Sequence, residues 1–112
     1  MTRVVFPTRE KLSYISKIEN SFYHANYLTV LHCKGQNIDG IDIIRNPFYD
    51  NLEGFCEFCK KKHFNVLVSI EKEKLPLTEL SQCGVSVYNT DKNKIILNIF
   101  SDFVQDKLIK VA

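Results

Sequence analysis

The spacing of apolar and polar positions changes several times along the 112-residue chain, and each change marks an element. "RVVFP" at 3–7 is short and mostly apolar, and predicts a strand ended by Pro7. From Thr8 to about Asn26 the chain is polar and irregular, with Tyr14, Ile15 and Ile18 as its early apolar anchors. "YLTVLHC" at 27–33 has the β-branched and aromatic content of a strand, "KGQN" at 34–37 is turn chemistry, and "IDGIDII" at 38–44 reads as the antiparallel partner. Pro47 stops that strand.

From about Tyr49 to His63 the period becomes helical. Leu52, Cys56, Cys59 and His63 recur at i, i+4, i+7 and i+11 with Phe55 beside them, while Glu53, Glu57, Lys60 and Lys61 take the other face. "FNVLVSI" at 64–70 is apolar on both faces, as a central strand of a partly parallel sheet must be. Residues 75–83 predict a short helix with Pro76 near its start and Gly84 just past its end. "VSVY" at 85–88 is another strand. Ile96, Phe100, Phe103 or Val104, Leu108 and Val111 then sit at helical spacing, with Thr90 or Asp91 as N-cap.

The predicted order is βββαβαβα. Right-handed crossovers place the fourth strand parallel to the first and next to it. The expected fold is α/β, a mixed five-stranded sheet with helices on both faces, similar to the ribonuclease-H-like plan. The length suits a single domain over 1–112, and no repeat or linker divides it.

Composition narrows the function mainly by exclusion. With 15 basic and 13 acidic residues the net charge is +2, not the clustered basic footprint of a nucleic-acid binder. "CKKKH" at 59–63 reads as a solvated helix end, where cations suit the dipole. No run approaches the roughly 18 apolar residues of a membrane span, and "MTRVVFPTRE" has no secretory h-region. Four cysteines without an export signal imply free thiols in a reducing compartment, so a cytoplasmic location is expected. No Ser/His/Asp arrangement, phosphate-cradling glycine loop or HExxH motif is present, and the early strands carry no carboxylate for two-metal nuclease chemistry. No enzymatic activity is expected.

Cys56-x-x-Cys59 supports three readings. It could be a metal hook extended by His63, although structural zinc takes four ligands. It could be a redox pair, which would favour a helix N-terminus. It could also be part of a buried stripe, since free cysteine packs as a small hydrophobe. Cys33 and Cys83 read as packing residues, and His32 as a sheet-face residue opposite Cys33.

A binding site is suggested separately by topology. Ligands of open α/β sheets collect beyond the carboxyl ends of parallel strands. Those ends are Thr8 and Arg9 after the first strand and Ser69 through Lys72 after the fourth. The irregular 9–26 segment, with Ser21, Tyr23 and His24, should fold over this rim.

"FPT" at 6–8, "IIRNPF" at 43–48 and "CGVSVY" at 83–88, in this order of elements, resemble the dinitrogenase iron–molybdenum cofactor biosynthesis family. The resemblance runs from Arg3 to about Leu108 and implies a small, non-enzymatic carrier or chaperone of iron–sulfur or iron–molybdenum cofactor precursors. The family's His-Phe-Gly segment falls on "SFYHANY" at 21–27, with Ser21 in the histidine's place, Tyr23 in the glycine's, and His24 three residues late. Its glycine-rich turn is replaced by "SIEKEKLP" at 69–76, where Glu71 and Glu73 stand beside Lys72 and Lys74.

The resemblance and the rim together nominate Ser21, Tyr23, His24, Thr8, Arg9, Ser69 and Lys72 for cofactor binding. They nominate His24 as the leading metal ligand, with Cys56 and Cys59 behind it. The implied partner is a cluster-donor or cluster-acceptor protein. The expected state is a monomer or a weak homodimer through the edge strand near 38–46. The alternative is a diverged member that has lost the cofactor and serves as a protein-interaction or regulatory module.

Overall fold

Three hairpin-linked strands lead into two crossovers, and a short added strand finishes the sheet. The computed structural model describes residues 1–71 and 74–112. The elements are β1 (Thr2–Thr8), β2 (Tyr27–Lys34), β3 (Asn37–Arg45), α1 (Phe55–Lys61), β4 (Val66–Ser69), α2 (Leu77–Gln82), β5 (Ser86–Asn89), α3 (Ile96–Val104) and β6 (Ile109–Lys110), with a 3-10 turn at Ser13–Ile15. They build one mixed six-stranded sheet in the order β3-β2-β1-β4-β5-β6.

β1 pairs antiparallel with β2 and parallel with β4, as right-handed crossovers require. β4 is parallel to β5 as well, and all four of its residues are buried, which accounts for its unbroken apolar sequence. Period-two alternation then sends side chains to two separate cores. Val5, Leu28, Val30, Leu67 and Val87 face Phe55 and Cys59 of α1 and Leu80 of α2. Val4, Phe6, Leu31, Val66 and Val68 face Ile96, Ile99 and Phe100 of α3. Helices therefore cover both faces. Among the described residues no helix is long and apolar enough to cross a membrane.

Three expectations need correction. The sheet has six strands rather than five, because the helical spacing toward Val111 breaks after Val104. Asp106 takes φ +58°, and the amides of Val111 and Ala112 donate to the Val87 carbonyl, which lays the last residues along β5. Val111 thus packs in the α1/α2 core, away from α3.

The helix expected over 49–63 shrinks to Phe55–Lys61. Asp50 at φ +60° and Gly54 at φ +80° keep the chain non-helical before Phe55, and His63 at φ +58° ends it. His63 is accordingly exposed and leaves the inward stripe. Cys56 becomes the second helical residue rather than a mid-helix one. The third correction concerns the start of α3. Its N-cap is Ile95, without a side-chain cap, instead of Thr90 or Asp91, because the Ile96 amide is taken by the Ser16 carbonyl.

Candidate site at the strand carboxyl ends

The long 9–26 segment is tied down onto the rim by backbone hydrogen bonds. Glu19 N–H donates to Pro7 O (2.7 Å), Ile18 N–H to Lys94 O (3.0 Å) and Glu71 N–H to Asn20 O (2.8 Å). Its second half is fixed by Asn46, buried just past β3. The Asn46 amide Nδ2 donates to Phe22 O (2.8 Å) and Ala25 O (2.9 Å), while its Oδ1 accepts from Phe48 N–H (3.0 Å). Three satisfied bonds in a dry setting hold residues 22–25 in one conformation. Asp50 N–H adds a bond to Tyr23 O (2.7 Å).

This arrangement leaves a cleft of about 150 Å³ between the 21–24 turn and the chain after β4, lined by Ser21, Phe22, Tyr23, His24, Leu52, Glu71, Lys74 and Leu75. The His24 imidazole is half-exposed on its wall. Nδ1 lies 3.4 Å from Ser21 Oγ, and Nε2 lies 3.5 Å from Asp50 Oδ1. The Tyr23 ring meets the imidazole edge-on at 4.8 Å. Lys74 Nζ stands 4.4 Å from the centroid of the Tyr23 ring, a cation–π contact that holds positive charge at the mouth. Glu71 places a carboxylate on the same cleft. The cleft therefore combines an apolar floor with one soft-to-borderline nitrogen ligand, one ammonium and one carboxylate.

No family model matches the chain, and no curated protein matches it by sequence. Solved structures do match. The apo form of the orange protein from Desulfovibrio gigas superimposes with a TM-score of 0.82 at 13% identity, over 100% of this chain and 94% of that one. A provisionally named NifB protein from Thermotoga gives 0.80 at 18%, over 99% and 94%. A provisionally named dinitrogenase from Methanocaldococcus jannaschii gives 0.69 at 16%, over 98% and 94%. The chain shares their fold. At these identities the likeness carries the backbone plan and not the ligands.

The structure brings Ser21, Tyr23 and His24 together on the cleft but disperses the other nominated residues. Thr8 is buried, with Oγ1 2.9 Å from Thr29 Oγ1 across β1 and β2. Ser69 is also buried, and its hydroxyl donates to the Glu71 carbonyl. Arg9 pairs with Glu19 (2.8 Å), which raises its pKa further. It lines a separate polar cleft of about 220 Å³ with Lys17, Asn20 and Asn93. Lys72 and Glu73 lie outside the described residues.

Of the two cysteines, Cys59 is sealed at 0% exposure, and burial pushes its thiol up to about 12. Cys56 is half-buried on a neighbouring cleft with Lys74 and Glu79. Its thiol is also raised, by burial first and by the Glu79 carboxylate next. Among the described residues no three His, Cys, Asp or Glu side chains stand at metal-holding spacing. His24 and Cys56 line different clefts, and Cys59 lines neither.

Residue reasoning missed Asn46, Asp50, Leu52 and Leu75. Leu52 falls on the helical spacing in the sequence, and the break at Gly54 frees it to line the cleft. An asparagine immediately before Pro47 at a strand end was the available signal for Asn46, since proline ends the ladder and leaves loop carbonyls that need a donor.

Proposed function

We propose that this protein is a small, non-enzymatic, cytoplasmic carrier built on a ribonuclease-H-like plan. It binds an anionic metal species, an iron–sulfur or iron–molybdenum cluster precursor, at the His24 cleft, and its partner is the protein that donates the cluster or the one that accepts it. The observation that carries this reading is the His24 imidazole, half-exposed on the wall of a cleft at the parallel-strand ends, whose ring nitrogens make contacts of 3.4 and 3.5 Å among the described residues. Contacts of that length are readily exchanged for a metal bond. Lys74 supplies charge of the sign an anionic cluster needs. The names of the Thermotoga and Desulfovibrio neighbours are consistent with cofactor-related work.

Anaerobic addition of a preformed cluster, followed by visible charge-transfer absorption, tests the reading. Wild-type protein is expected to take up the cluster, and His24→Ala to bind at least about tenfold more weakly, the loss of one good ligand contact. Equal uptake by both proteins removes His24 from the site.

A second reading is favoured by Glu71 and by the apolar floor of Phe22, Leu52 and Leu75. A carboxylate repels an anionic cluster, whereas an apolar slot suits a side chain of a protein partner. In that case the chain is an interaction or regulatory module without cargo. Protein purified anaerobically would then contain no metal or acid-labile sulfide and take up none. Either reading allows a weak homodimer through β3, whose partner in the sheet lies on one side alone.

A further inference from the structure

At the end of the sheet away from His24, three neighbouring strands and the turn after α1 bring charged side chains to one place. Arg3, His32 and Asp42 each lie two residues along their strands from Val5, Val30 and Ile44, so all three belong to the α1/α2 face. Arg3 is the cross-strand partner of His32, and Asp42 pairs with Val30, one diagonal step from His32. α1 stops at Lys61, and the left-handed turn at His63 sets Lys62 and Phe64 beside this corner of the sheet. The result is a cleft of about 220 Å³ whose walls are Arg3, His32, Asp42 and Lys62, with Ile44 and Phe64 among its apolar lining.

The walls are held in place. His32 Nε2 lies 2.6 Å from Asp42 Oδ2, the short spacing of an N–H donated to a carboxylate. Opposite His32 on β3 stands Gly40, where a Cβ would come within 3.7 Å of the imidazole Cδ2. That edge of the ring therefore leans over β3. Nδ1, on the other edge, is turned toward β1 and Arg3, and makes no hydrogen bond among the described residues. The Arg3 backbone is clamped by Asn65, whose Oδ1 accepts from Arg3 N–H (2.7 Å) and whose N–H donates to Arg3 O (3.0 Å). Lys62 Nζ stands 5.7 Å from the centroid of the Phe58 ring, which in turn meets Phe64 edge-on at 5.9 Å. Among the described residues neither Arg3 nor Lys62 is in a salt bridge, whereas Asp42 is already engaged by His32.

We propose that this cleft binds a small phosphate monoester. Its phosphoryl oxygens meet the Arg3 guanidinium, the Lys62 ammonium and His32 Nδ1–H, and its organic group lies on Ile44 and Phe64. With the imidazole doubly protonated and balanced by Asp42, the charges of Arg3 and Lys62 remain, which matches a dianion. Three donors arriving from different elements suit a phosphoryl group, which offers three oxygens, better than a planar carboxylate, which offers two. The charged groups facing the imidazole are Arg3 from β1, Asp42 from β3 and Lys62 from the turn after α1. Arg3 lies near the start of β1 and the His24 cleft beyond its end, so the two sites are independent.

The test titrates nitrogen-15-labelled protein with phenyl phosphate at pH 6 and follows amide shifts by NMR. The amides of Arg3, His32 and Phe64 should move together and saturate, and benzyl alcohol should give no saturating shift. Lys62 is exposed, so Lys62→Gln probes the site with little risk to the fold. Lys62→Gln and Arg3→Gln should each weaken binding about fivefold or more, the loss of one charge-assisted contact. His32→Gln should do the same at pH 6 and have much less effect at pH 8, where an ordinary imidazole has lost its second proton. The comparison with wild type at each pH removes the titration of the probe itself. Equal affinity of wild type and Lys62→Gln overturns the site, as does saturation confined to residues outside the cleft. A linear drift without saturation means diffuse attraction to surface cations and overturns it too.

Discussion

The two faces of the sheet are covered in different ways. On one face α3 lays down a single nine-residue ridge, and Ile96, Ile99 and Phe100 close directly over Val4, Leu31 and Val68. On the other face α1 and α2 are seven and six residues long, and a run of aromatic rings from the loops packs against α1. Phe22 meets Phe55 at 5.6 Å, Phe55 meets Phe48 at 5.2 Å, and Phe48 meets Phe58 at 5.1 Å. A continuous helix makes one interface, whereas two short helices make interfaces plus seams. The His24 cleft and the Cys56 cleft both open on this side, and three of the four cysteines belong to its core or its margin. Chemistry collects where coverage is incomplete.

The strongest way to break this contrast is to empty each core in turn. Phe55→Ala removes a ring with 1% exposure and should cost about 3–5 kcal/mol in denaturant unfolding. Since Phe22 is both its neighbour and a wall of the cleft, cluster uptake should fall with stability. Ile99→Ala should cost about 2–5 kcal/mol, yet the surviving folded protein should bind as before. If both variants lose uptake in proportion to stability, the faces are not functionally distinct.

Asn46→Ala probes the seam more locally. It leaves the carbonyls of Phe22 and Ala25 and the Phe48 amide without their partner in a buried place. A cost of about 1–3 kcal/mol is expected, with a larger effect on uptake than Ile99→Ala because the 22–25 turn carries His24. Hydrogen exchange at residues 22–25 should rise selectively. Unchanged protection there would mean that the turn is held by something other than Asn46.

The α3 face and the central sheet were legible in the sequence because each obeys one period. β4 reads as a continuous apolar run, and Ile96, Ile99 and Phe100 lie on one helical stripe. The α1 side was harder for a physical reason. Leu52, Cys56, Cys59 and His63 fit a helical period, but left-handed residues at Asp50, Gly54 and His63 cut the helix to its middle. Periodicity reports which side chains are apolar and does not report φ. The last strand was missed for the opposite reason. Leu108 and Val111 continue the helical spacing by coincidence, while Val111 actually packs on the far face. At the rim, topology pointed to Ser21, Tyr23 and His24, and these three line one cleft. It could not tell that the Thr8 and Ser69 hydroxyls are consumed by Thr29 and the Glu71 carbonyl.

The smallest effect tests how dry the α1 side is beneath its seams. Cys59 has a thiol ordinarily near 9.0 that burial raises to about 12 in the folded protein. Below pH 9 the thiol is protonated in both the folded and unfolded states, and its contribution to stability is fully present. Above that, the unfolded chain ionises while the folded one does not, so stability is lost progressively as pH rises toward 12. Each pH unit in that window is worth up to about 1.4 kcal/mol. Other groups titrate there too, so the measurement is a difference. Between pH 8 and pH 10, wild-type protein should lose about 1 kcal/mol more unfolding free energy than Cys59→Ala. The paired control is Ile99→Ala, which removes no titrating group and should keep the wild-type slope. If wild type and Cys59→Ala fall in parallel, water reaches Cys59 through the seam. The division between a sealed core and an open seam would then fail at its centre.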